Sequence, residues 1–215
     1  MKKIQVLIIL ILISSNLFSQ YIDGNKISQV YTVPGINANE LFSKINFVIS
    51  LIYKKPDDVI KYNDEESKII LIKAMALVPV LDVFKLMNPK NPDLSDYIDY
   101  RHDYDIIIRV KDEKYKIEMT YDDGKYIDKE STEYDLPFSA KMDYKKEDMN
   151  EIIESARDEI SKSYYYDTSR RKKEIYIQSQ PRIVLEYQKT LVDYSTIFFQ
   201  SLYKGIFDET NQDDW

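Results

Sequence analysis

The sequence predicts an α+β domain: a curved antiparallel sheet with helices on one face and an extra C-terminal helix. Three observations carry this expectation. A single helical stripe, Leu41 to Ile52, lies between strand-like segments; two period-two segments, 104–110 and 115–121, flank a polar turn; helical periodicity then dominates from Met149 onward. Strands grouped together and then helices grouped together favour α+β over an alternating parallel architecture.

The elements follow in order. Lys2 and Lys3 precede an unbroken apolar run from Val6 to Ile13, which Ser14-Ser15-Asn16 interrupts before Leu17-Phe18-Ser19-Gln20. This is the layout of a secretory signal peptide. The run is about half the ~20 residues that a membrane span requires. Cleavage is expected after Ser19, leaving a mature chain that starts at Gln20 and is soluble in the periplasm or outside the cell. Two lysines leave with the peptide, so 28 Lys+Arg face 37 Asp+Glu, a net charge of −9.

Lys26 to Val33 reads as a strand stopped by Pro34-Gly35. Asn37 caps a helix with Glu40 as its capping-box partner, and Leu41, Ile45, Val48, Ile49 and Ile52 form its buried stripe. Pro56 ends it. A short strand at 59–62, a turn at 63–66 and a strand at 68–76 come next. Residues 77–97 read as an insertion between strands, with Val80 to Met87 offering two helical turns and Asn88-Pro89-Lys90-Asn91-Pro92 irregular.

Tyr104, Ile106, Ile108 and Val110 then alternate with Asp105, Ile107 and Arg109. Tyr115, Ile117, Met119 and Tyr121 alternate with Lys116, Glu118 and Thr120. The pair predicts an antiparallel hairpin with one buried face. The pattern loosens from Asp122 to Tyr144. Met149, Ile152, Ile153, Ala156 and Ile160 mark a second amphipathic helix, and Glu174 to Gln178 suggests a strand. Pro181 suits the first turn of a final helix whose stripe is Val184, Tyr187, Leu191, Tyr194, Phe198 and Leu202, with Gly205 as its stop. The expected organisation is a signal peptide (1–19), an α+β core (20–124), an extra helix and loop segment (125–181), a closing helix (182–207) and an acidic tail (208–215).

Composition closes many chemistries. The chain of 215 residues has no cysteine, one histidine and four glycines, Gly24, Gly35, Gly124 and Gly205. Disulfides, thiolate metal sites, a Cys nucleophile and lipid acylation of a cysteine are excluded. The glycines are too far apart for a dinucleotide or phosphate loop. A net charge of −7 opposes a phosphate backbone, so no nucleic-acid partner is expected. Nineteen tyrosines favour strands, and they also suit binding faces.

The local wording then has a family likeness. Val33-Pro34-Gly35, Asn39-Glu40-Leu41-Phe42, Asp57-Asp58-Val59-Ile60, the strand near Ile69-Ile70, Tyr104 to Asp112, Tyr115-Lys116-Ile117-Glu118 and Phe199 to Lys204 carry it. Together they resemble a bacterial secreted family of unknown function with a TBP-like fold, named after the TATA-binding protein. The likeness spans roughly residues 26–121 and, more loosely, 182–205. Glu113 stands where that family has a turn glycine, and Leu71-Ile72-Lys73-Ala74 replaces its Gly-Lys-Gly element. The resemblance implies fold and export and supplies no catalytic residues.

Few residues could carry chemistry. His102 stands among Asp99, Arg101, Asp103 and Asp105. It reads either as a metal or acid–base residue or as an ordinary strand-end histidine, and strand alternation turns it away from those neighbours. The pairs Asp57-Asp58, Glu65-Glu66 and Asp122-Asp123 have the residue type for glycosidic hydrolysis, yet each falls in a turn or at the start of an element. Arg170-Arg171-Lys172-Lys173, with Tyr164-Tyr165-Tyr166 and Tyr176 nearby, reads as a solvated loop or as a surface for anionic headgroups or an acidic partner. The expectation is therefore a non-enzymatic exported module binding an envelope protein, glycan or lipid, with no cofactor and no metal. The alternatives are a carboxylate-based hydrolase and a lipid-binding protein.

Overall fold

The computed structural model describes residues 20–127, 133–136, 138–162 and 169–210; the expected signal peptide and Tyr164 to Tyr166 lie outside the described residues. The elements are β1 (Tyr21–Asp23), β2 (Lys26–Thr32), α1 (Ala38–Ile52), α2 (Pro56–Val59), β3 (Ile60–Asp64), β4 (Ile69–Leu81) and α3 (Val83–Met87). Then come β5 (Tyr97–Lys111), β6 (Lys114–Tyr121), β7 (Lys125–Ile127), β8 (Glu133–Asp135), α4 (Asp148–Lys162) and α5 (Arg170–Thr210). The sheet runs β1-β2-β6-β5-β4-β3, with β7 beside the start of β5 and β8 outside β7; every pair is antiparallel.

Period-two patterning decides which face is buried. Tyr104, Ile106, Ile108 and Val110 of β5 and Tyr115, Ile117, Met119 and Tyr121 of β6 point inward with Ile27, Tyr31, Ile70 and Ile72. The α1 stripe Leu41, Ile45, Val48 and Ile49 and the α5 residues Ile183, Tyr187, Leu191, Phe198 and Leu202 close over that face; Val184 of the expected stripe is buried as well. Asn37 caps α1 by accepting from the Glu40 amide at 3.0 Å, and Asp112 in the β5–β6 turn accepts from the Ala38 amide at 2.8 Å. The helix is thus hung from the hairpin that it covers. On the opposite face no helix packs among the described residues, and Val30 (53%), Met75 (50%) and Leu77 (61%) stay exposed.

Several expectations are corrected. Residues 77–97 are not an insertion: β4 continues to Leu81 and β5 begins at Tyr97, extending the hairpin from Leu77↔Arg101 to Leu81↔Tyr97. Pro79 reads as a breaker in one dimension, but β3 pairs β4 only as far as Ile72. On the unpaired edge beyond, a missing N–H leaves no ladder bond unmade. Only residues 83–87 are helical, capped by Asp82, whose carboxylate accepts from the Phe84 amide at 2.7 Å.

The suggested strand at 174–178 is helix, and Pro181 lies inside α5 rather than at its start. Ile175 and Ile177 mimic alternation, but buried Tyr176, Ile177, Gln180, Ile183 and Val184 follow the helical period. Gly205 does not stop α5, which runs on to Thr210 and so includes the first residues of the expected acidic tail. A Cβ at Gly205 would stand 2.6 Å from Val48 Cγ1: the glycine is where α5 crosses α1. The turn at Glu113 keeps the demand of a glycine, since its φ is +58°. Its side chain compensates by accepting from the Gly35 amide at 3.0 Å. β1, β7 and β8 were not anticipated.

Candidate functional site

His102 is the residue through which familiar chemistry would run, and β5 places it mid-strand rather than at a strand end, fully buried. Its Nδ1 lies 2.9 Å from the Asp122 carbonyl and its Nε2 3.1 Å from the Tyr187 hydroxyl. A carbonyl only accepts, so Nδ1 carries the proton and Nε2 accepts from Tyr187. Burial pushes the imidazole below its ordinary 6.5, against opposing pulls from the Asp122 carbonyl and the Asp123 and Asp103 carboxylates. The ring sits hard on Gly124, where a Cβ would come within 2.4 Å of Cε1 and Nε2. A neutral, tautomer-locked, sealed imidazole is a structural residue here.

Around it the sheet and α5 meet through hydroxyls. Tyr104 OH lies 3.2 Å from Tyr53 OH and 3.4 Å from Tyr194 OH, and Tyr121 OH lies 2.9 Å from Ser195 Oγ. Burial raises these phenols, Tyr53 to about 12 and Tyr104, Tyr121, Tyr187 and Tyr194 further. Tyr31 stacks between Tyr115 and Tyr203 at centroid distances of 5.1 and 4.9 Å. Aromatic rings therefore fill the sheet–α5 interface, where a lipid-binding protein would keep an apolar cavity.

The carboxylate pairs stay apart in role. Asp57 and Asp58 form the exposed first turn of α2, and Glu65-Glu66 is an exposed turn in which the Glu66 amide donates to Asp64. Asp64 is held down at about 2 by the Ser67 and Tyr62 hydroxyls. Asp123 accepts from the Ala140 amide at 2.8 Å, pinning the segment after β8. Arg101 and Asp103 share the outer face and pair with each other at 3.0 Å. Among the described residues no three His, Cys, Asp or Glu side chains gather as a metal would require.

The basic run Arg170 to Lys173 is no loop, since it is the first turn of α5. Tyr176 is buried, donating to Glu159 Oε2 at 2.9 Å within a small core of Met87, Ala156, Ile160 and Ile177. It is therefore not part of an exposed tyrosine surface.

Sequence reasoning missed a concavity between α4, α5 and the β4–α3 end. Two adjoining hollows of about 310 and 290 Å³ share Phe138, Glu159 and Gln180. One reaches Tyr144, Asp148 and Ser155 on the α4 side; the other reaches Asp82, Phe84 and Tyr100 at the β4–α3 end. Four carboxylates line it, Asp82, Asp148, Glu151 and Glu159, and three of them are already engaged. Asp82 caps α3, Asp148 accepts from the Lys145 amide at 2.6 Å with Lys141 at 3.7 Å, and Glu159 holds Tyr176. No motif announces this groove, because its walls come from segments separated by as much as a hundred residues.

Comparisons agree with this architecture. Residues 28–121 match the model of a family described as "Domain of unknown function (DUF4468) with TBP-like fold". A crystal structure of a DUF4468 family protein from Bacteroides ovatus is similar at a TM-score of 0.50 and 14% identity, covering 86% of this chain and 88% of that one. A TBP-like protein from Parabacteroides distasonis gives a TM-score of 0.44 and 15% identity, covering 84% and 91%. No curated protein matches the chain. The α+β fold is TBP-like, with α5 as an extra C-terminal helix. Among the described residues no helix is long and apolar enough to cross a membrane.

Proposed function

We propose that the chain is an exported, non-enzymatic binding module whose ligand, a neutral glycan, occupies the groove shared by Phe138, Glu159 and Gln180. The observation that carries this reading is the groove's lining. The side chains of Tyr100, Phe138 and Tyr144 line it with carboxylates, an amide and the hydroxyls of Ser139 and Ser155. Such a wall stacks on the C–H faces of a sugar while its polar groups take paired hydroxyls. Asp82, Asp148 and Glu159, tied into a cap and hydrogen bonds, favour holding a ligand over cleaving it. Export rests on Lys2-Lys3 and the Val6–Ile13 run, and a nucleic-acid partner is opposed by the acidic charge.

The test is titration of the chain from Gln20 with a panel of neutral oligosaccharides, followed by calorimetry and NMR shifts. Saturable binding that weakens at least tenfold in Phe138→Ala and Tyr144→Ala is expected. No saturation across the panel would overturn the glycan reading. Release of reducing ends, abolished in Glu159→Gln, would replace the module with a hydrolase. Export is checked by fractionation of expressing cells with N-terminal sequencing of the product; a cytoplasmic, uncleaved chain would refute it.

A further inference from the structure

The strongest charged feature lies outside that groove. Arg170, Arg171, Lys172 and Lys173 occupy one helical turn that contains no acidic residue. Four neighbouring cations repel one another, in a chain whose net charge is −7. A second segment adds to them. Lys172 Nζ donates to Asn88 Oδ1 at 2.5 Å, tying the loop after α3 to α5, and Lys85 Nζ donates to the Asn91 carbonyl at 2.8 Å, holding that loop to α3. That tether brings Lys90 to the rim of a groove of about 560 Å³ which Arg171 and Lys172 also line. The acid nearest in sequence, Glu174, accepts from Gln178 at 2.9 Å. None of the ion pairs among the described residues engages Arg170, Arg171, Lys173 or Lys90.

We propose that this end of the molecule docks on an anionic membrane surface, with the four cations Lys90, Arg170, Arg171 and Lys173 facing phospholipid headgroup phosphates. Charge complementarity selects the occupant. A cluster of four to eight Lys and Arg on one surface is the electrostatic footprint of anionic lipid binding. Half-buried Leu86 and Ile175 border the groove and supply modest apolar contact beneath the headgroups. The rest of the acidic surface is repelled by such a membrane, so attachment fixes orientation: this end faces the bilayer. The proposal is independent of the glycan groove, and neither stands or falls with the other.

The experiment is cosedimentation of the chain from Gln20 with phosphatidylglycerol–phosphatidylcholine vesicles and with pure phosphatidylcholine vesicles. Binding to the anionic vesicles alone is expected, falling steeply as salt rises. Each cation near the surface contributes roughly a fivefold change in partitioning. The variant Arg170→Glu, Arg171→Glu, Lys173→Glu should therefore lose well over tenfold. A charge-matched control, Lys54→Glu, Lys55→Glu, Lys111→Glu, should retain most of the binding. Equal loss in the control, equal binding to both vesicles or binding to neither overturns the proposal. So does displacement by inorganic phosphate beyond that of sodium chloride at matched ionic strength, which would assign a phosphate site instead. Circular dichroism of both variants confirms that the altered surface residues leave the fold intact.

Discussion

His102 illustrates how burial converts a reactive residue into a structural one. Because the folded chain holds it neutral below its ordinary 6.5, the unfolded chain takes up a proton there that the folded chain refuses. The stabilising contribution is full above about pH 6.5 and declines as pH falls below it. Urea midpoints for the chain from Gln20 should drop over that window, and His102→Gln should flatten the decline; parallel slopes would contradict this account. Tyr115 and Tyr121 make a sharper pair. The buried Tyr115 hydroxyl has no hydrogen-bond partner among the described residues, whereas Tyr121 bonds Ser195. Tyr115→Phe should be neutral or stabilising, and Tyr121→Phe destabilising by about 1 kcal/mol, both read by chemical denaturation. Gly124→Ala, which drives a methyl into the His102 ring, should cost about 1–3 kcal/mol.

At the scale of elements, the crossing of α1 and α5 depends on two small surfaces meeting. Gly205 lets α5 approach Val48 more closely than any side chain would permit. Gly205→Ala should lower the thermal midpoint, with about 1–3 kcal/mol lost, and Val48→Ala in the same chain should recover part of it. Additive losses in that double-mutant cycle would show that the two positions do not meet. The long α5 also carries Pro181 in its interior, where the carbonyl of Ile177 receives no N–H. The helix persists through that defect because its stripe is buried on both sides of it, from Tyr176 to Ile206. Tertiary burial outweighs a local propensity here, which is why a one-dimensional reading started the helix at residue 182 rather than at Arg170.

For the molecule as a whole, α5 completes with α1 the layer over the sheet's inner face. A chain ending at residue 169 would expose Tyr31, Tyr104, Tyr121 and their neighbours, and it should be insoluble or molten by near-ultraviolet dichroism; a cooperative unfolding transition would refute that. What the chain carries locally was readable without a fold. The α1 cap and stripe and the β5–β6 alternation depend on contacts within a few residues, and helical or pleated periodicity reports them directly. The TBP-like order followed from the resemblance those same segments carry. What only the tertiary structure decided is where distant segments meet: the strand register through Pro79, the sealing of His102 by Gly124 and Tyr187, and the role of Gly205. The groove between β4, α4 and α5 belongs to the same class. The physical reason is common to them all. Burial, close approach and the pairing of a buried polar group depend on surfaces brought together across tens of residues, and no period in the chain encodes those distances.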